Sequence, residues 1–575
     1  MRLTRILMPA VLAAAVLASC QKPEQESIYN EYVVPLIETT DMHGHFVNIE
    51  NGTVHYRMAF IADKVKDIRG HGDQYRKDRI LLLDGGDLYQ GASASNLLEG
   101  KPVYVSVDKM EYDAVALGNH DFDWGFETLV DADATLPDYE WEGRHEVNAV
   151  PVLCANLYQD GSRVSATRDY VIVEKSAVNP KGAEVKVRIG IIGFAVDYGS
   201  SIMTSKFSGR GFRINEDWSI ANGIAAELES TGKCDATILL IHGAADESAQ
   251  SLGKDSPIDL VLGGHSHSVL SGSTSWGLPY LQGGKYCEYY ASASLKFTVG
   301  RDGGIAFKKA DKLTVAFVDS NHDQHSHTGQ NANDLDEDII AVSDAALEAT
   351  AKQQNEVVGY ISTGATANSL SGSGGRATTM TNWMCDILRA IGEADVSFVN
   401  SGGVRTVFPL NGQSRRDITV ADVYEMFPFN NATFVYRITY AELLQLLEYS
   451  MTSSGQSLFS FMTGIDCHYA GSSCPFTVRS LEKGGDVLYR DGEWSGGRAS
   501  ETVILAVSEF LATSQRVDAT TGLSNPLPEW NKSSRLLGSG LVDNENAIRV
   551  LKAEAALSGG RLRIDTSPHF IKDGQ

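Results

Sequence analysis

The chain is short of positive charge: 49 Lys and Arg stand against 73 Asp and Glu, a formal charge of −24 over 575 residues. So acidic a surface excludes nucleic acid polymers and anionic membrane faces as electrostatic partners. Cysteine is scarce too, seven residues in all, and none is spaced Cys-x-x-Cys, so a thiolate zinc site is excluded. After residue 20 no segment has the ~18 consecutive apolar residues of a membrane span, and no fixed-period repeat runs along the chain. What is there, with 43% hydrophobic residues, is globular and too long for one core, which predicts two large domains. An anionic substrate would have to be attracted by bound metal and a few local Arg residues, because the overall field repels it.

The start, MRLTRILMPAVLAAAVLASC, has Arg2 and Arg5, an apolar centre and small residues before Cys20. This is the pattern of a secretion signal. The ending LASC resembles the lipobox of bacterial lipoproteins, which implies an acylated Cys20, a signal peptide over 1–19 and a tether over 20–30. The expected location is the bacterial cell envelope, with the lipid as the only membrane attachment and either the periplasm or the cell surface as the facing side. Of the other cysteines, Cys467 and Cys474 in CHYAGSSC are the pair expected to form a disulfide. The rest sit mostly in apolar runs and read as buried thiols.

Apolar runs bounded by turn residues predict strands at 33–40, 79–84, 112–117, 187–194, 236–241 and 258–262. Helical periodicity lies between them, as in FIADKVKDI, where Ile61, Val65 and Ile68 share one face. This alternation predicts an α/β layer fold. The polar stretch 319–338 marks a domain boundary. His322, His325 and His327 within it read as part of a solvated linker, and a helix follows over 339–353. Beyond a Gly/Ser-rich loop (362–375) a second α/β region begins, with helices at 380–391 and 440–450 and strands at 395–400 and 502–508.

Five of the predicted strands run into oxygen or imidazole ligands: Asp41 and His43, Asp87, Asn119 to Asp121, His242, and His265 with His267. In open α/β sheets the carboxyl ends of parallel strands converge on one crevice, so these groups are expected to meet. The spacing of Asp41 and His43, read as extended chain, points both side chains the same way. Each feature alone is an ordinary cap or turn residue. The five in order resemble the calcineurin-like metallophosphatase family, with its motifs D-x-H, G-D, G-N-H-[DE], a lone His and G-H-x-H. The resemblance implies an α-β-β-α sandwich with two divalent ions. One would take Asp41, His43, Asp87 and His267; the other Asp87, Asn119, His242 and His265. Zn or Mn suits such mixed N/O donors, and two carboxylates against two dications leave the site net positive. His120 and Asp123 would form a catalytic pair, the carboxylate orienting an imidazole that stabilises transition-state charge or the departing oxygen. His45 and His55 match no motif position and read as surface or supporting residues.

The length and the second region narrow the resemblance to the secreted 5′-nucleotidase and 2′,3′-cyclic phosphodiesterase group. It divides the chain into a metallophosphatase domain (31–318), a linker and hinge helix (319–355) and a C-terminal α/β domain of the 5′-nucleotidase type that binds substrate (356–575). VNSGGVR, VYEMFPFNN and ILAVSEFLA carry it. Arg405 would bind phosphate or carboxyl oxygens, Phe429 and Phe510 would sandwich a base and Asn431 would touch its edge. Arg376 lies near the position of a substrate-binding Arg of the family. The family's Gly-Gly-Asp after the second Phe is replaced by Ser514, Gln515 and Arg516. Either Asp518, two residues later, takes the ribose-gripping role or that role is lost. The implied activity is hydrolysis of nucleoside 5′-monophosphates. A 2′,3′-cyclic phosphodiesterase/3′-nucleotidase or a UDP-sugar hydrolase is the alternative among enzymes. A nucleotide- or metal-binding envelope protein without catalysis is the alternative of another class, and the retained His120 and Asp123 argue against it.

Overall fold

The structure, a computed structural model, describes residues 30–50, 53–126, 150–197, 207–300, 302–318, 335–368, 377–429 and 431–573. Cys20, the signal segment and His322, His325 and His327 lie outside the described residues. Among the described residues no helix is long and apolar enough to cross a membrane.

The N-terminal half is built on two parallel runs of strands. β1 (Glu31–Thr39), β2 (Leu81–Asp84), β3 (Ala114–Ala116) and β4 (Val152–Leu153) form one. The other joins β6 (Glu184–Ala195), β7 (Ala236–His242), β8 (Leu260–Leu262) and β10 (Pro279–Gly283). β5 (Tyr170–Val178) links them, antiparallel to β6 and touching β1 at the pair Val33 and Val178. β9 (Val269–Ser273) flanks β10, and the long hairpin of β11 (Tyr289–Val299) and β12 (Ile305–Phe317) pairs with β1.

The two runs face each other, and the period-2 alternation shows it. Leu81, Leu83, Ile189, Ile191, Ile238 and Leu240 meet in one apolar cluster between them. The intervening Leu82 points instead to the helices α1 (Arg57–Arg69) and α2 (Lys101–Lys109). Ile192, Leu239 and Ile241 point to α3 (Ser219–Ser230) and α4 (Ala245–Leu252). Strands buried on both faces explain why the sequence shows apolar runs rather than alternation. The layers are α-β-β-α.

Helix α1 buries Ile61 and Val65 as expected, but Ile68, in its last turn, lies past the core edge and is 37% exposed. Helix α5 (Glu337–Gln354) starts at Asp336, whose carboxylate caps the Ile339 amide, and sinks Ile339, Ile340 and Ala346 into the N-terminal core. The C-terminal half has a five-stranded sheet in the order β15 (Phe461–Thr463), β13 (Val396–Val399), β16 (Thr502–Ser508), β14 (Ala432–Thr439), β17 (Leu536–Val542). Helices α6 (Thr379–Gly392) and α7 (Asp543–Leu557) pack beside it.

The expected disulfide does not form: no bond joins Cys467 and Cys474. Cys467 faces the core of the C-terminal half, whereas the Cys474 thiol lies 3.2 Å from the Met451 carbonyl, held at another segment.

Candidate metal centre and substrate cleft

The loops that carry the ligands leave their strands in register, Thr39 beside Asp84 and Asp84 beside Val115. The first two loops continue the ladder, the amides of Asp41, His43 and Gly44 donating to the carbonyls of Gly86, Asp87 and Leu88 at 2.9, 2.9 and 2.8 Å. Asp121 ties the third loop to the second: its buried carboxylate accepts from the amides of Gly118 (2.8 Å), Leu88 (3.2 Å) and Asp87 (3.3 Å). From the facing strands, His242 ends β7, and the His265 amide after β8 donates to the Asp41 carboxylate at 3.0 Å.

The extended chain expected at Asp41 and His43 is not found. Their φ angles are +50° and +47°, and Asp87, His265 and His267 also lie in the left-handed region, at +57°, +67° and +58°. That region costs energy for residues with a Cβ, and the loop ladder holds Asp41, His43 and Asp87 there. Backbone strain of this kind gathers at functional sites. The side chains converge because the loops turn sharply, not through a strand's alternation.

All seven expected ligands come together. Asp41, His43 and His267 form one cluster and Asp87, His242 and His265 a second, the ligand atoms within each lying within 4.8 Å of one another. Asp87 sits between the two, its Oδ2 3.6 Å from His43 Nε2 and 3.3 Å from His242 Nε2. Asn119 Oδ1 joins the second, 2.8 Å from His265 Nδ1 and 3.2 Å from His242 Nε2. In the first, His43 Nε2 and His267 Nε2 are 3.0 Å apart. Each cluster draws on both strand runs.

The donor chemistry fits metal ions. His43 Nδ1 lies 2.9 Å from the Gln90 carbonyl and His242 Nδ1 2.7 Å from that of Gly85. A carbonyl only accepts, so both Nδ1 atoms carry hydrogen and both Nε2 atoms aim inward, the usual support for metal-binding imidazoles. Burial, with the neighbouring cations adding to it, holds the His265 imidazole down at about 4 and that of His267 at about 3, so both rings are neutral near pH 7; at His242 burial is outweighed by Asp87 and Asp41, which raise it to about 10. Burial alone would push Asp87 up, but His242, His120 and His43 around it outweigh that and keep its carboxylate well below the ordinary range.

His120 stands beside the clusters with its amide donating to Asp87 Oδ1 at 2.8 Å, and its Nδ1 is 2.9 Å from Asp123 Oδ2. Burial lowers its basicity, while Asp123 and Asp87 raise it further than burial lowers it. Residues from the C-terminal half complete the site. Arg405 Nη1 comes within 3.5 Å of His267 Nδ1 and donates to the Tyr286 hydroxyl at 3.4 Å. A cleft runs from His120 and His267 past Arg405 and Phe429 to Asn431 and Phe510.

Other residues singled out in the sequence have contacts of their own. The carboxylate of Asp518 accepts from the amides of Thr520 (3.1 Å) and Thr521 (2.9 Å) in its own turn and of Ser454 (3.1 Å) from another segment. Phe429 does more than line the cleft, because it also stacks on His120. Of the two readings given for His45, surface or supporting, its contact is a supporting one: its ring lies 4.3 Å from that of Tyr286, the residue that receives Arg405. His55 pairs with Asn48 in a small hairpin. Arg376 lies outside the described residues. Sequence reading missed the clamping carboxylate of Asp121, signalled only as the last letter of GNHD, and Tyr286 and Asp543, which no local pattern marks.

A family described as 5′-nucleotidase, C-terminal domain, matches residues 357–483. A 5′-nucleotidase of Vibrio cholerae is 27% identical over 283 residues, covering 45% of this chain and 46% of that protein. The chain thus spans about half the length of that relative. A 5′-nucleotidase of Vibrio parahaemolyticus is 24% identical over 485 residues, covering 77% of this chain and 80% of the other. Among solved structures, a 5′-nucleotidase precursor from Thermus thermophilus superposes with a TM-score of 0.63 at 18% identity, over 94% of this chain and 100% of that one, a likeness of fold.

Proposed function

We propose, from its membership of the 5′-nucleotidase and calcineurin-like phosphoesterase group, that this chain is a metal-dependent hydrolase of nucleotide phosphomonoesters, nucleoside 5′-monophosphates foremost, yielding nucleoside and phosphate. The observation that carries the reading is Asp87 set between two ligand clusters, with the His120–Asp123 pair and Arg405 beside them at the end of an aromatic cleft. Asp41, His43, Asp87 and His267 would hold one divalent ion, and Asp87, Asn119, His242 and His265 the other; the mixed N/O donors favour Zn or Mn. When bound, such ions supply Lewis-acid polarisation of phosphoryl oxygens and a local positive field in an acidic chain.

The chain's own groups divide the remaining work. Arg405 presents its guanidinium to the substrate's anionic oxygens. Asp123 fixes His120 with its proton on Nδ1 and favours the imidazolium, so that Nε2–H can stabilise charge on, or give a proton to, the departing ester oxygen. Phe429 and Phe510 offer the faces against which a base packs, and Asn431 its polar edge. Export and a lipid at Cys20, with a place in the bacterial cell envelope, are supported by the N-terminal pattern alone.

Phosphate release from AMP, 3′-AMP, 2′,3′-cyclic AMP and UDP-glucose, each with Mn, Zn or EDTA, tests the activity. Turnover led by AMP and abolished by EDTA is expected; turnover led by 2′,3′-cyclic AMP would move the chain to the cyclic phosphodiesterase branch. For the anchor, Cys20→Ser should abolish lipid labelling and release active enzyme from membranes.

A further inference from the structure

The inner end of the cleft is made where strands of the C-terminal sheet stop together. β14 and β17 pair antiparallel up to Ala432 opposite Val542. Asn431, just before the one, and Asp543, just after the other, are therefore neighbours. The Asp543 amide donates to the Asn431 carbonyl at 2.9 Å. β16 ends at the same edge, Thr433 opposite Ser508, and brings Phe510 there. Asp543, Asn431, Phe429 and Phe510 line one cavity, in which Asp543 is only 3% exposed.

A carboxyl so buried requires partners. Its place at the start of α7 accounts for part of them, Oδ1 accepting the Asn544 amide at 2.8 Å. An ionised carboxylate offers about four lone-pair positions and a protonated carboxyl fewer; the Asn544 amide takes one, so acceptor capacity remains in a cavity that Phe429 and Phe510 share with apolar side chains and with Asn400 and Ser508. An acceptor at the edge of a stacking slot has a defined complement: an N–H on the rim of a flat heteroaromatic ring.

We propose that Asp543 determines base specificity by accepting a hydrogen bond from the exocyclic amine of a base held against Phe429 and Phe510, so that amino-bearing nucleotides are favoured over analogues lacking that donor. This rests on the nucleotide reading above. The carboxyl accepts whether ionised or neutral, and a base without the N–H leaves it buried and unpaired. Sites built to hydrogen-bond a substrate group reject analogues lacking it far more strongly than apolar pockets do.

The experiment compares AMP with purine riboside 5′-monophosphate, which keeps the ring, sugar and phosphate and lacks only the 6-amine. Wild type should favour AMP at least tenfold in kcat/KM. Asp543→Leu should cut the preference to twofold or less by losing activity on AMP, with hydrolysis of a simple alkyl phosphate unchanged, whereas Asp543→Asn, which keeps an acceptor, should retain most of it. Melting curves accompany both variants. Should Asp543→Leu fail to fold, calorimetric binding of adenosine and of purine riboside to wild type makes the same comparison, adenosine binding at least tenfold tighter. Equal use of the two nucleotides by wild type, or a full AMP preference in folded Asp543→Leu, would overturn the role of Asp543 and leave the nucleotidase reading standing. Hydrolysis of the alkyl phosphate with neither nucleotide turned over would overturn both.

Discussion

The rings of His120 and Phe429 lie stacked, their centroids 4.9 Å apart and their planes 24° from parallel. One follows β3 in the N-terminal half and the other precedes β14 in the C-terminal half, and the Arg405 guanidinium carbon lies 5.0 Å from the same phenyl ring. The group proposed to act on the leaving oxygen is thus packed by a residue expected only to bind a base.

That contact separates the two phenylalanines. Phe510→Ala should raise KM for a nucleoside monophosphate about tenfold, corresponding to ~1.4 kcal/mol of lost stacking, and leave a simple alkyl phosphate unaffected. Phe429→Ala should lower kcat on both substrates as well, because His120 loses its packing. Steady-state kinetics on the two substrates, with melting curves, check the difference; identical behaviour of the two variants would remove the packing role of Phe429.

His120→Asn should keep its metal and lose turnover by roughly 10²-fold or more, the contribution of a positioned acid. Metal content and rate are measured on one sample. Near-normal turnover with metal bound would defeat the assignment.

Gly118 tests the close packing of the loops. A Cβ there would stand 2.2 Å from Asp87 Oδ1 and 2.3 Å from the Asp87 amide nitrogen, so Gly118→Ala must displace the carboxylate that lies between the clusters. Elemental analysis should show loss of bound metal, with activity falling in step. Full metal retention would mean that Asp87 can move without cost.

His569 gives a pH dependence away from the metal centre. Its Nδ1 lies 2.7 Å from Asp466 and its Nε2 2.9 Å from Asp565. Burial lowers its basicity, but the two carboxylates raise it further, to about 9 against an ordinary 6.5. Because the folded value is the higher one, the stabilisation is complete below about pH 6.5, declines from there and is gone above about pH 9. His569→Gln should therefore lower the melting point most at pH 6 and least above pH 9. A deficit that grows with pH would contradict the sign.

The sequence alone marked the candidate ligands and the main parallel strands of the N-terminal half, for a physical reason: strands buried on both faces are written as apolar runs, and groups placed after such runs share one edge of a sheet. Chemistry confined to a few consecutive residues, such as GNHDFD, was legible in the same way. Only the tertiary structure decided how those groups meet. The left-handed turns at Asp41 and His43 are held by hydrogen bonds to a loop more than forty residues away, and no local pattern encodes them. It also decided that Asp518 accepts from its own turn and from the distant Ser454 amide, that Cys467 and Cys474 face different surroundings, and that Asn431 and Asp543 stand side by side. These outcomes depend on strand register and on which distant segments compete for the same polar atoms, and both are settled by packing across the whole chain.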